Sequence, residues 1–174
     1  MIHGTLINLR PVARDDLALL DSWANSRDFT GEYNDFGLVP LDAYSQRFAD
    51  DGMLTERAST LLIVTKDGAA VGDVAYYPAV YGPNAGSRAF SIGISILAEH
   101  RGKGYGPEAQ RLLAAYLFAI HPIMRVEAST DITNLPEQRA LEKAGFTREG
   151  VLRKAQWRAG DWHDLVLYSK LRGE

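Results

Sequence analysis

The sequence predicts a single α/β domain, and three observations carry that prediction. An apolar run at 90–97 leads into a glycine-dense turn and then a helical pattern, so a strand feeds a helix. A β-prone run, Arg125-Val126-Glu127-Ala128-Ser129-Thr130, follows that helix, which places the two strands parallel across a βαβ crossover. Two hairpin patterns flank this unit, at 59–77 and 146–171, and their strands pair antiparallel. At 174 residues the chain has the length of one domain with a sizeable core.

The elements follow in order. Thr5-Leu6-Ile7-Asn8-Leu9-Arg10 is β-prone, closes on Pro11 and reads as a strand. Asp15 and Asp16 precede Leu17, Leu20, Trp23 and Ala24 at helical spacing, and carboxylates favour a helix start. Residues 25–40, NSRDFTGEYNDFGLVP, read as a loop punctuated by Gly31, Gly37 and Pro40. Its acids Asp28, Glu32 and Asp35 are interleaved with Phe29, Tyr33 and Phe36. That composition suits a cationic, partly apolar ligand, or else a solvated loop whose aromatics tuck into the core. Leu41, Tyr44 and Phe48 mark a second helix, ended by Asp50-Asp51-Gly52.

The run STLLIVTK at 59–66 is a strand, Asp67-Gly68 a two-residue hairpin turn, and 69–77 the return strand. Asp73 sits there among apolar residues, and a buried carboxylate is costly unless it has a partner or a chemical task. Tyr76 and Tyr77 read as packing residues whose phenols are also able to donate a proton. In the central strand Ile92, Ile94 and Ile96 share one face, and Gly93 marks a bulge or a close backbone approach.

The turn Arg101-Gly102-Lys103-Gly104-Tyr105-Gly106 opens a helix with Pro107 and Glu108 at its start. Glycines let backbone N–H groups crowd a ligand, and free N–H groups at a helix start bind anions, phosphates above all. Arg101 and Lys103 add positive charge at that spot. The glycines alternate and none stands at 109, so this is neither G-x-G-x-x-G nor G-x-x-x-x-G-K-[ST]. After the strand at 125–130, Asn134 is an N-cap, Pro136 a first-turn residue and Gly145 a C-terminal stop for a last helix. The final hairpin turns at Ala159-Gly160-Asp161, and Trp157 and Trp162 read as a pair across its strands in preference to lining the mouth of a site. His163 and Asp164 are adjacent and face opposite ways in a strand, which argues against a His–Asp dyad and leaves His163 at the solvent.

Two of these stretches resemble the GCN5-related N-acetyltransferases. Arg101-x-x-Gly104-x-Gly106 matches the family signature Arg/Gln-x-x-Gly-x-Gly/Ala, and GKGYGPEA is similar to the branch that acetylates ribosomal-protein N-termini. Asn134 followed by Leu141-Glu142-Lys143-Ala144-Gly145-Phe146 resembles the second hallmark, Asn-x-x-Ser and then LEKxGF, at the expected distance. The resemblance implies a mixed, mostly antiparallel sheet with a splayed parallel strand pair at its centre, flanked by helices. It implies acetyl-CoA as cosubstrate, no metal, and direct acetyl transfer to a primary amine in a ternary complex. By the same resemblance the amides of 101–106 hold the pyrophosphate, the backbone of Ile94 and Ile96 meets the pantetheine arm and the thioester oxygen, and Asn134 contacts the cofactor arm. The helix–loop–helix region carrying Asp28, Glu32 and Asp35 then lines the acceptor side.

The sequence departs from that pattern at three positions. Ser91 stands where many relatives carry a carboxylate, Glu137 at the usual serine, and Leu141 where other branches carry a tyrosine acid. Glu137, Asp73 and Tyr77 are therefore the groups expected to do the proton work. The same departures motivate an alternative, a catalytically silent acyl-CoA-binding or regulatory protein on the same fold.

Composition bounds the rest. The net charge of -3 argues against a nucleic-acid or anionic-membrane partner. The absence of cysteine excludes a disulfide framework, a thiolate metal site and a cysteine nucleophile, in keeping with transfer without an acyl-enzyme. MIHGTLINLR has no long apolar core of a signal peptide and no run spans a bilayer, so the expected location is cytoplasmic. Protein N-termini, polyamines, aminoglycosides and small amine metabolites all fit as acceptors, and monomer and homodimer both fit the composition.

Overall fold

The computed structural model describes residues 1–55 and 57–174. Its strands are β1 (Ile2–His3), β2 (Ile7–Pro11), β3 (Ser59–Thr65), β4 (Ala70–Val80), β5 (Arg88–Ile96), β6 (Arg125–Asp131), β7 (Thr147–Arg158) and β8 (Asp161–Leu171). Its helices are α1 (Leu17–Trp23), α2 (Arg27–Thr30), α3 (Ala43–Asp51), α4 (Tyr105–Ile120) and α5 (Leu135–Lys143). The strands form one sheet in the order β1-β2-β3-β4-β5-β6-β8-β7. Every neighbouring pair is antiparallel except β5 and β6.

Local chemistry places most of these elements where the sequence puts them. Asp16 accepts from the Ala13 N–H and pairs with Arg10 at 2.6 Å, fixing the entry to α1. Helix α3 stops at Gly52, which takes the left-handed conformation at φ 68°. The turn at Asp67-Gly68 joins β3 to β4, with Val64 opposite Ala70. Trp157 and Trp162 stand opposite each other, ring centroids 5.5 Å apart. Strand β1 escapes sequence reading because two residues, Ile2 and His3, show no alternation.

Strand alternation makes two cores. Leu61 and Ile63 of β3, Val74 and Tyr76 of β4, and Phe90 and Ile92 of β5 pack on the face covered by α4. Leu62 and Val64 turn to the opposite face, where Leu17, Leu20, Trp23 and Phe29 of α1 and α2 cover them. Burial of these side chains, at roughly 25 cal/mol per Å² of apolar surface, holds both layers to the sheet.

The central pair diverges. Strand β5 follows β4 from Arg88 through Ile96, and β6 follows β8 along its whole length, yet β5 and β6 share only Phe90 opposite Val126 and Ser91 opposite Glu127. Each strand is held by its other neighbour, so the two part beyond Ser91. Gly93 does not cause this as a bulge. It pairs in regular register with Ala75, and a Cβ there would meet open space. The close backbone approach lies next door, where a Cβ on Gly72 would stand 2.2 Å from the Ser95 carbonyl oxygen.

Glu108 contributes to the fold in a way its dipole position does not foretell. Its buried carboxylate accepts from the N–H groups of Thr5, Leu6 and Ile7 at 2.7, 2.7 and 2.9 Å, tying the first residues of the chain to α4. Burial works to raise its pKa, but the three N–H groups and Arg111 outweigh it and leave the group below its ordinary value. Glu108→Ala should cost about 3 kcal/mol, since three partners of one charge are left to find water. A depressed carboxylate pKa stabilises the fold above the ordinary value and is lost as pH falls through the folded one. Chemical denaturation of Glu108→Gln beside the parent therefore should show a deficit at pH 7 that shrinks in acid. Equal stability at pH 7 would mean that the N-terminal strand is held by other contacts.

Candidate active site

The gap between β5 and β6 opens into a cleft of about 600 Å³. Ile94, Ser95 and Ile96 form one wall, the turn before α4 another, and α5 a third. The Ile94 carbonyl accepts from the Asn34 side-chain amide at 3.4 Å, and the Ile96 carbonyl from Arg101 Nε at 2.8 Å. Both contacts come from the β6 side. A strand residue's N–H points to the same edge as its carbonyl, so the amides of Ile94 and Ile96 also face the gap.

The glycine turn presents its amides at the cleft mouth. Gly102 and Gly104 hold φ of 75° and 84°, where a side chain is strained. Tyr105 and Gly106 begin α4, where N–H groups lack intrahelical acceptors, and the positive end of the helix dipole adds to them. A Cβ on Gly106 would meet the side chains of Ile96, Ala140 and Ile94 at 3.7, 4.0 and 4.0 Å, ordinary contact that leaves room for alanine, in keeping with the Gly/Ala of the signature.

The two cations predicted to strengthen this turn are used otherwise or stand apart. Arg101 donates to the carbonyls of Ile96, Asp28 and Phe29, and so fastens the turn to α2. Lys103 is exposed and outside the cleft lining. The turn's capacity for anions therefore rests on backbone rather than on these side chains.

Helix α5 supplies the opposite wall. Asn134 caps it by accepting from the Glu137 N–H at 3.4 Å, and donates to Thr130 Oγ1 at 2.9 Å. Glu137 lines the cleft and accepts from the Gln110 side chain. Burial pushes its carboxyl up to about 7, against the stabilising bond from Gln110. Gln110 is 1% exposed and its Oε1 has no partner among the described residues. His100 Nδ1 is the other such buried orphan, and His100 also lines the cleft. Unsatisfied buried polar atoms are expensive, and both of these stand in or beside the cleft, as in a site shaped for a polar ligand.

The other predicted groups are spread out. Asp73 does not line the cleft. It lies under α3, opposite Leu62 and Ser95, and burial pushes its carboxyl up to about 7 while Arg47 pulls it back. Tyr77 is half exposed and stands opposite Ser91, again outside the cleft. Of the three loop acids, Glu32 borders the cleft, whereas Asp28 and Asp35 are exposed and do not. Ser91 is buried at the last paired position of the diverging strands, and Leu141 is fully buried in the core.

His163 departs from its expected place at the solvent. Its Nδ1 is 3.0 Å from Asp131 Oδ2, and Arg158 bonds the same carboxylate. Burial opposes ionisation of Asp131, but Thr133 and Arg158 hold it down to about 2. Alternation correctly separates His163 from Asp164, which instead accepts from the Lys154 N–H at 2.8 Å. Arg158 also stacks over Tyr33 at 5.5 Å, so this ion cluster braces the loop that carries Asn34.

Residues 7–147 match the family model described as the acetyltransferase (GNAT) domain. The chain belongs to this family. The Bacillus subtilis protein named probable N-acetyltransferase YjcK is 31% identical over 177 residues, covering 94% of this chain and 93% of its own. Among solved structures, the ribosomal L7/L12 alpha-N-protein acetyltransferase RimL in complex with coenzyme A superposes with a TM-score of 0.80 at 18% identity, over 97% of this chain and 95% of that one. Spermidine N-acetyltransferase from Vibrio cholerae, in complex with CoA and spermine, gives 0.79 at 19% identity over 97% of each chain.

Within this GNAT domain, several cleft residues escape sequence reasoning. Gln110 falls three and seven residues before Leu113 and Leu117, so a polar residue on the apolar stripe of α4 was a readable signal. Asn34 and Arg139 carry no comparable signal, since each reads as ordinary surface. No group of three or more His, Cys, Asp or Glu among the described residues is placed to hold a metal ion. No helix among them is long and apolar enough to cross a membrane.

Proposed function

We propose that this GNAT domain moves the acetyl group of acetyl-CoA to a primary amine by direct attack within a ternary complex. The divergence of β5 from β6 beside a glycine turn carries the reading. It leaves strand amides and helix-start amides open to one cleft. The turn amides receive the pyrophosphate, and the free edge at Ile94 and Ile96 receives the pantetheine arm. The neutral amine attacks the thioester carbonyl, a C–N bond forms, the C–S bond breaks, and the departing thiolate takes a proton. An N–H of Ile94 or Ile96 stabilises the oxyanion. Glu137, with its carboxyl pushed up to about 7, is the group in the cleft that supplies the thiolate's proton. The amine's own proton passes to water, since Asp73 lies outside the cleft.

An amine acceptor accords with relatives named for ribosomal-protein N-termini and for spermidine, both amines. Among the three loop acids, Glu32 is the one at the cleft, so a cationic acceptor is expected to meet it first.

A panel of peptide N-termini, polyamines, aminoglycosides and small amines, read out as free CoA, tests this. At least one should release CoA far above the hydrolytic background. Acetyl-CoA that raises the melting temperature without CoA release from any amine would favour a silent acyl-CoA-binding protein instead.

A further inference from the structure

We infer that Arg158 is a positioning residue for the acceptor, clasping Tyr33 so that Glu32 and Asn34 stand at the cleft. The inference rests on the amine-transfer reading and goes beyond it, to a residue that does not itself line the cleft. Glu32, Tyr33 and Asn34 do line it, and they belong to a stretch with neither strand nor helix. Such a stretch has no ladder of its own, so its side chains keep their place only through contacts with other elements.

Tyr33 is gripped twice. The Arg158 guanidinium carbon lies 5.5 Å from the centre of its ring, within reach of a cation–π contact. Its hydroxyl donates to the Thr133 carbonyl at 3.3 Å. Both grips lead back to Asp131. Oδ2 of that carboxylate accepts from Arg158, and Oδ1 accepts from the Thr133 N–H and hydroxyl at 2.8 and 2.6 Å. Arg158 also donates to Gln156 Oε1, and its carbonyl accepts from His163 Nε2 at 3.1 Å. With its edge bonded to Asp131 and Gln156, the guanidinium has its flat face left for Tyr33. Arg158 is 5% exposed and Asp131 3%. A buried ion pair recovers little net stability, so positioning is a reason to keep one. The circuit Tyr33–Arg158–Asp131–Thr133 ties the first loop to the turn that leads into Asn134 and α5. On one side of Tyr33 it holds Asn34 against the Ile94 carbonyl and Ser95 Oγ, each at 3.4 Å. On the other side it keeps Glu32 at the cleft border.

Steady-state kinetics on the whole chain test this, with the amine that releases most CoA as acceptor and Tyr33→Leu, Tyr33→Phe and Arg158→Lys beside the parent. Leucine removes both grips, and phenylalanine keeps the ring. Lysine keeps a charge for Asp131 but lacks the flat face that stacks on an aromatic. Acceptor KM should rise about 3- to 10-fold in Tyr33→Leu and in Arg158→Lys, the range of a cation–π contact, and stay within about twofold in Tyr33→Phe. The double variant Tyr33→Leu/Arg158→Lys should rise no further than either single one, and the KM for acetyl-CoA should stay parental. Amide hydrogen exchange at 31–36 should quicken in Tyr33→Leu and Arg158→Lys and stay parental in Tyr33→Phe. A merely structural role would lower the melting temperature and the active fraction, hence kcat, and leave the acceptor KM alone; that result overturns the inference. So does a KM that rises in Tyr33→Leu alone, which marks Tyr33 as a direct acceptor contact, and so do single effects that add in the double variant. If Arg158→Lys fails to fold, the two Tyr33 variants decide: KM raised with leucine and parental with phenylalanine supports the clasp, and equal KM in both overturns it. A parent that acetylates no amine defeats the transfer reading instead, and exchange at 31–36 then still tells whether the clasp holds the loop.

Discussion

A Gly104→Val chain should lose its response to acetyl-CoA. The residue sits at φ 84° as N-cap of α4, and a β-branched side chain pays about 1 to 2 kcal/mol or more in that region. Its Cβ would stand 3.2 Å from Leu6 Cδ1, a side-chain end that is able to yield. The fold therefore survives with a lowered melting temperature, while relief of the strain at this φ moves the turn amides out of their arrangement. Affinity for acetyl-CoA should fall about 100-fold or more, the loss of two or more charge-assisted hydrogen bonds. Thermal shift with rising acetyl-CoA separates the two effects. The lower starting temperature reports strain, and a flat response reports lost binding. A variant that starts lower and still rises as the parent does would remove the turn from the cofactor site.

The turn was legible because its backbone demands glycine, and glycine is visible in a sequence. The same holds for Gly52, Gly68 and Gly145, each at positive φ where a helix or hairpin ends. What stayed hidden was the use to which charged side chains are put. Arg101 sits in the motif as a cation for phosphate, yet its guanidinium meets three carbonyls, two of them 72 and 73 residues away in sequence. Glu108 reads as a dipole partner and serves instead as a three-way acceptor for 5–7. His163 reads as solvent-exposed because its partner Asp131 lies on another strand, which local alternation does not reveal. Gly93 reads as a bulge or a close backbone approach because a glycine in a strand has several causes, and the sequence does not tell them apart. Local backbone requirements are written in local residue types. Long-range pairing of charges is fixed only once the sheet order brings β6 beside β8 and the first loop over β5.

The proton donor is where the pattern and this chain part most clearly, and Glu137→Gln is the sharpest test of it. Glutamine keeps the volume and a bond to Gln110 but has no proton to give. With the carboxyl pushed up to about 7, the parent holds the acid form below pH 7 and loses it above. At pH 6.5, kcat should therefore fall about 100-fold in the variant, with the KM for acetyl-CoA little changed. The gap should narrow as pH rises past 7, because the parent then loses its donor and both chains rely on water. A gap that widens above pH 7 would show the ionised carboxylate at work as a base, and equal kcat at every pH would exclude Glu137 from proton transfer. Stability supplies a second readout. A carboxyl raised from 4.5 to about 7 means that the folded chain binds more protons than the unfolded one in that window, so parental stability declines as pH climbs through it. Asp73, raised from 3.8 to about 7, adds a decline of the same sign. Glu137→Gln should flatten part of that slope and leave the share of Asp73. An unaltered slope would mean that Glu137 is ionised in the cleft and has no proton to deliver.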